Sequence, residues 1–325
     1  MGSKRKKRIG IVLATIAVAL ITFGVVWVTI IFPGLKKLPA DLNQAVQYQG
    51  TVTVLDPETY QPVTYDDVIV TRRCQAVRSS GDVIYIDEEV SFVDSKTGLE
   101  IPSLYESELL AVDRVSRANV PGHGDKNREG LWQFPLDVKA GQDYPVWLTG
   151  SPTTLDARYV GEEDFRGLHV LVYEVATPDE GVTVPAGIFT PEMQLYRWIK
   201  VRVEPASGIT VYMEDTQKRT SKIPVFDDLF PNTGDMTFTD MTVFETSLVF
   251  TEETIEREVD DASFYHWALS WGNTYLPWLV FGFGVVMGLL GSILVIRVKV
   301  KRIPIAKPAK DDLAQVQPTS LRLSS

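Results

Sequence analysis

One cysteine, Cys74, stands in 325 residues, so no intrachain disulfide can brace the fold and stability has to come from a buried core. Histidine is nearly as scarce. His123, His169 and His266 are the three, and no H-x-x-x-H or H-E-x-x-H spacing links them, which excludes the usual helical zinc arrangements. His123 reads as a solvated loop residue, His169 as packed inside a strand and His266 as part of an aromatic belt. A G-x-S-x-G elbow, a Walker loop and a dinucleotide fingerprint are missing too. The carboxylate pairs Glu162–Glu163, Asp227–Asp228 and Glu252–Glu253 are adjacent in sequence, and in a strand adjacent side chains point to opposite faces, so none makes an acid–base pair. The expectation is a protein without catalytic residues, metal or cofactor.

Charge is absent from two long runs, residues 9–32 and 276–296. Each can cross a hydrocarbon core of about 30 Å at about 1.5 Å per residue. Lacking ionisable side chains, two such helices cannot line an aqueous pore. The first run is too long for a signal peptide and no A-x-A-like site follows it, so it reads as an uncleaved anchor. Basic residues flank the outer ends, Lys4 to Arg8 before the first run and Arg297, Lys299, Lys301 and Arg302 after the second. The positive-inside rule then puts both termini of a two-pass plasma-membrane protein in the cytoplasm. The expected organisation is a basic N-terminus (1–8), a first span (9–32), an extracytoplasmic domain (33–275), a second span (276–296) and a disordered cytoplasmic tail (297–325).

Positive charge is also short in the middle of the chain. Residues 33–275 carry about 20 basic against about 40 acidic side chains, a balance that repels nucleic acid and suits neutral or cationic partners. Toward the second span, Phe264, Tyr265, Trp267, Trp271, Tyr275 and Trp278 are the amphipathic rings expected among lipid headgroups. Within that span Gly284 and Gly288 form a G-x-x-x-G face that can bring another membrane helix close.

What the middle does have is strand periodicity. In "WIKVRVE", Ile199, Val201 and Val203 alternate with Lys200, Arg202 and Glu204; Ile84, Ile86, Val90 and Phe92 share a face interrupted only by Glu88. "GLHVLVYEV" is apolar on both faces, as a central strand is. Further runs fall near 51–55, 68–77, 109–115, 209–214 and 236–250, and no long helical period competes with them. The fold class is mainly β, a sandwich- or barrel-like sheet domain flanked by two transmembrane helices. "LDPETY", "VDSKTG" and "VEPASG" repeat one form, an acid followed three residues on by Ser or Thr and then by Tyr or Gly. Each reads as a hairpin turn whose backbone N–H groups bond the acid. Residues 119–130 are the clearest loop; 177–192 would bridge sheet elements or form a lid, and 220–235 is a third break.

Past that loop comes "GLWQFPLDVKAGQDYPVW", Gly130 to Trp147. It reads as two short strands joined at "KAGQ", with Trp132 and Phe134 on one strand face. Trp132, Phe134, Tyr144 and Trp147 are the candidate ligand-binding residues, and core packing between sheets is the competing reading.

The same segment, with "YVGEEDFRGL" (Tyr159 to Leu168) and "VEPASG" (Val203 to Gly208), resembles the two-span, porin-A-like envelope proteins of actinobacteria, over most of the chain. Membership would imply an extracytoplasmic β-rich domain tethered at both ends. It would also imply handling of envelope glycolipids, trehalose monomycolate and lipoglycans in particular, beside an RND-type lipid transporter. The sequence has "RVEP" where "WVEP" is usual, so Arg202 replaces an aromatic. A transmembrane porin barrel conflicts with the helical spans. The function expected is non-enzymatic: a neutral glycolipid or other lipid bound in the external domain. The alternative is a scaffold that organises an envelope complex without binding lipid.

Overall fold

The computed structural model describes residues 3–56, 58–150, 153–185, 192–225 and 237–300. The predicted tail beyond 300, the Asp227–Asp228 pair and much of the third break lie outside them. Among the described residues the chain forms two compact units, one of residues 3–26 and 277–300 and one within residues 27–276.

In the first unit, α1 (Ser3–Val26) packs against α4 (Leu276–Val300). Glycines let the two backbones meet. A Cβ on Gly10 would lie 2.9 Å from the Gly291 carbonyl oxygen, and one on Gly284 would lie 3.0 Å from Ile21 Cγ1. Gly288 faces Ala17, so the G-x-x-x-G face is filled by a helix of the same chain. Val18, Phe283 and Leu289 stay exposed. Both helical segments are long and apolar enough to cross a membrane.

The second unit opens with a π-helical turn (Trp27–Ile31) and the short α2 (Phe32–Leu35). Twelve strands follow: β1 (Asn43–Leu55), β2 (Pro62–Ser80), β3 (Val83–Asp94), β4 (Leu99–Glu100), β5 (Glu106–Asp113), β6 (Tyr144–Trp147), β7 (Thr154–Phe165), β8 (Leu168–Ala176), β9 (Val182–Pro185), β10 (Glu192–Val203), β11 (Thr210–Val225) and β12 (Thr237–Phe250). They form one antiparallel sheet in the order β4-β3-β2-β1-β12-β11-β10-β8-β7-β6, with β5 on β3 and β9 on β10. The two edges do not stay open. Val146 of β6 bridges Leu131, Leu131 bridges Ala118, and Asn119 bridges Val112 of β5. The backbone bonds are short: Leu131 N–H donates to Pro145 O (2.7 Å), Trp147 N–H to Leu131 O (2.8 Å) and Asn119 N–H to Gly130 O (2.8 Å). The sheet therefore closes into a barrel, which removes its edges.

The acid turns fold as expected. Asp56, Asp94 and Glu204 each accept bonds from their own turn, Glu204 from Ala206 N (3.1 Å), Ser207 N (2.7 Å) and Ser207 Oγ (2.6 Å). A fourth copy, Asp113 to Arg117, escapes the pattern because Arg117 (φ +63°) holds the place that Gly98 and Gly208 hold elsewhere.

Between the sheet and the second span the chain is helical, which its sequence pattern does not announce. Glu252–Ser270 is a helix, α3. Thr251 caps it by accepting from Thr254 N, and Glu252 and Glu253 in the first turn complement its dipole. Ile255, Val259 and Ala262, spaced by four and three, pack on the barrel, a helical period too short to stand out beside the strands. His169 also differs from expectation. Its side chain is 55% exposed and lies 3.5 Å from Glu162, because it stands at the very start of β8, beside the Arg166–Gly167 turn, although Leu171, Tyr173 and Val175 on its own face are buried.

Gly208 offers a test of the turn chemistry. At φ +69° a Cβ there would lie 2.2 Å from Pro135 O, whereas one on Gly81 (φ +62°) meets open space. Gly208→Ala is expected to cost well over about 1 kcal/mol and Gly81→Ala no more than about that, compared by thermal unfolding of the full chain followed by circular dichroism.

Candidate functional site

The barrel interior is packed at one end and hollow beside it. Phe134 and Tyr144 meet edge to face at 5.7 Å, both against Tyr173, with Val138, Val175 and Ile199 around them. Next to this plug lies a cavity of about 200 Å³. Alternation along the strands builds its wall. Tyr48 of β1, Val70 of β2, Phe92 of β3, Val201 of β10 and Leu248 and Phe250 of β12 all face inward. Outward neighbours such as Gln49, Arg73, Lys218 and Glu245 are exposed, where a membrane-embedded barrel would show an apolar band.

The same inward rows bring charge into the lumen. Arg72 follows Val70 by two residues, Arg197 precedes Ile199 by two, and Asp215, Gln217 and Arg219 run along β11; all line the cavity. Arg197 grips Asp215 with two bonds, Nε to Oδ1 at 3.0 Å and Nη2 to Oδ2 at 2.5 Å, and gives Nη1 to the Thr149 carbonyl at 2.8 Å. Burial works against the charge of Arg197, and Asp215 more than offsets it. Burial also lowers the Arg219 pKa, and its carboxylate Glu106 stands farther off, at 3.5 Å.

Beside the cavity Glu88 is fully buried. It accepts from Arg72 Nη2 at 2.6 Å, Trp132 Nε1 at 3.0 Å and Thr149 Oγ1, with the Cys74 thiol at 3.5 Å. Burial pushes this carboxyl upward, but the Arg72 guanidinium and the bonds from Arg72, Thr149 and Trp132 override it and hold it at about 2. Burial pushes the Cys74 thiol up to about 12.

The four predicted aromatics are brought to one region with unequal roles. Trp132, Phe134 and Trp147 line the cavity; Tyr144 stands behind it, its hydroxyl accepting from Lys139 N at 2.9 Å. The expected first strand does not form. Between Leu131 and Val138 the chain bends instead of pairing, so Trp132 and Phe134 share no strand face: one turns to Glu88, the other to the plug. The turn at Ala140–Gly141 and the second strand, β6, are as expected. Trp267, Trp271 and Tyr275 are exposed along α3 and the turn after it, and Trp278 is exposed at the start of α4.

His123 is an exposed loop residue whose Nδ1 meets Tyr85 OH at 2.9 Å. His266 has a definite partner, Glu204, at 2.8 Å. Among the described residues no group of three or more His, Cys, Asp or Glu could hold a metal ion. Sequence reasoning does not find the luminal charges, although Glu88 interrupting an apolar face is a visible signal.

Because its folded pKa lies below the ordinary value near 4.5, Glu88 stabilises the fold above that pH and the contribution is lost as pH falls toward 2. Glu88→Gln leaves Arg72 without its carboxylate and is expected to cost about 3 kcal/mol near neutral pH. Urea unfolding of the full chain should show that loss at pH 7 and a shrinking gap between wild type and variant below about pH 4.

The sequence model of one protein family, described as porin PorA, matches residues 9–293. No curated protein matches the chain. The match spans the first helix, the whole barrel and most of the last helix, and by it the chain belongs to the porin PorA family.

Proposed function

We propose that this envelope protein is not an enzyme, and that it holds a lipid or glycolipid by its apolar portion in the barrel lumen and works beside a membrane transporter of the RND type. The luminal cavity carries this reading. Protein interiors leave few voids larger than a water molecule, and this one measures about 200 Å³. A wall of Val70, Phe92, Val201, Leu248 and Phe250, with Arg197–Asp215 facing it, suits an amphipathic occupant. At this size the cavity takes part of an apolar chain and leaves the headgroup outside, since sites for whole small ligands run roughly 300–1,000 Å³.

Topology and charge support the same reading. The basic residues flanking both apolar helices favour cytoplasmic termini, with the barrel outside the cell. There an acidic domain accepts an uncharged headgroup more readily than an anionic one. The scaffold alternative would use the domain surface together with the Gly284–Gly288 face, and α1 occupies that face.

Full-length protein purified from its own membranes should yield a bound lipid on solvent extraction and mass spectrometry. Val70→Phe, which fills the cavity, should reduce its amount by about tenfold while the circular dichroism spectrum is kept. Lipid-free wild-type preparations, or equal lipid in both proteins, would refute the reading.

A further inference from the structure

The luminal cavity shares a wall with a second, more exposed hollow, a cleft of about 650 Å³, within the roughly 300–1,000 Å³ typical of small-ligand sites. Three residues line both: Glu106, Trp147 and Arg219. They form a wall common to the two spaces. Arg219 is held in this partition by the Gln217 amide oxygen, which accepts from its Nη2 at 2.9 Å and Nε at 2.6 Å, while its ion pair to the facing carboxylate is long. Arg219 reaches Glu106 at 3.5 Å, against 2.5 Å for the neighbouring Arg197–Asp215 pair. Gly150, at φ +77°, makes room for it: a Cβ there would lie 2.8 Å from Arg219 Nη2 and 3.5 Å from Glu106 Oε2. The Trp147 indole N–H is buried in this wall and has no partner among the described residues, an open donor where nearly all buried donors are paired.

The outer cleft balances its charge. Glu106 and Glu108 stand with Arg219 and Lys126, and Tyr105, 52% exposed, offers a ring at the rim. An anion would face two carboxylates there, and a cation two ammonium or guanidinium groups. A guanidinium and a carboxylate side by side present donors and acceptors to neighbouring hydroxyls, while the Tyr105 and Trp147 rings offer flat apolar faces to C–H groups.

We propose that the outer cleft binds an uncharged, hydroxyl-rich headgroup, that of a glycolipid, and that the Glu106–Trp147–Arg219 partition is the opening through which its apolar chain enters the lumen. The proposal rests on the reading that the lumen holds an apolar chain, and it names where and by what chemistry the rest of the ligand is recognised.

The test uses the full chain in a zwitterionic detergent, titrated calorimetrically with dodecyl maltoside, dodecyl phosphate and dodecanol. Dodecyl maltoside should bind tightest. Arg219→Gln and Tyr105→Ala should each weaken it by about tenfold and leave dodecanol within about twofold. Tyr105 is exposed, so that variant keeps the test available should Arg219→Gln fail to fold. If dodecanol binds and both variants bind the maltoside like wild type, the cleft is not the headgroup site and the luminal reading stands. Tighter binding of dodecyl phosphate overturns the uncharged class. If dodecanol does not bind the wild-type protein, the luminal reading fails and the proposal with it.

Discussion

A carboxylate taken out of water costs several kcal/mol unless its lone pairs are matched, and Glu88 is matched by groups from three places. Arg72 comes from the adjacent strand, Trp132 from the bent chain after Leu131, and Thr149 from the end of β6. Trp132 and Thr149 lie beside the seam where the barrel closes, and Glu88 is on β3, which pairs with β5 on the other side of it. The closure itself uses isolated bridges at Val112, Ala118, Leu131 and Val146 in place of a long ladder. A few backbone bonds leave such a seam free to open, and the Glu88 cluster ties its two sides through groups whose separation would strand a buried charge. Arg197 continues the tie by bonding the Thr149 carbonyl from the opposite wall. Trp132 and Thr149, at the two ends of the segment 131–149, both line the cavity.

That arrangement explains how a family described as porins can contain this chain. The barrel is closed, but it is a water-facing one. Polar residues cover its outer face, and crossing is left to two apolar helices packed through Gly10, Gly284 and Gly291. The hollow inside holds about 200 Å³ behind a plug of Phe134, Tyr144 and Tyr173, so the described lumen is a pocket and no continuous channel. The aromatic side chains of α3, with Trp267 and Trp271 exposed, belong to the element that leads from barrel to span. Such amphipathic rings suit a membrane–water interface.

Much of this architecture is legible in the amino-acid sequence. Period-two runs locate most strands, the acid turns locate three hairpins, and length with charge locates the spans, because each rests on contacts local in sequence. What stays hidden depends on distance. The residues of the seam carry no local pattern that says they pair. The bend that separates Trp132 from Phe134 is imposed by Glu88, 44 residues away from Trp132. Alternation can identify a buried face but not whether its residues meet a sheet or a hollow, so Arg72 and Arg197 read as ordinary strand charges. The helix α3 carries Ile255, Val259 and Ala262 in little more than two turns, too few for the period to outweigh its charged remainder. His169 is misplaced for a related reason, since alternation puts it on the buried face of Leu171 and Tyr173 but does not show that it stands at the very start of the strand, beside a turn.

The central claim is that an apolar chain occupies the barrel lumen, and photocrosslinking tests it most directly. An alkyl glycoside carrying a diazirine at the end of its chain would be irradiated with the full-length protein, and the labelled peptides mapped by mass spectrometry. The account predicts labels on inward residues such as Phe92, Met213 and Phe244, competed away by unlabelled glycoside. Labels confined to α1, α4 and the exposed tryptophans would contradict it.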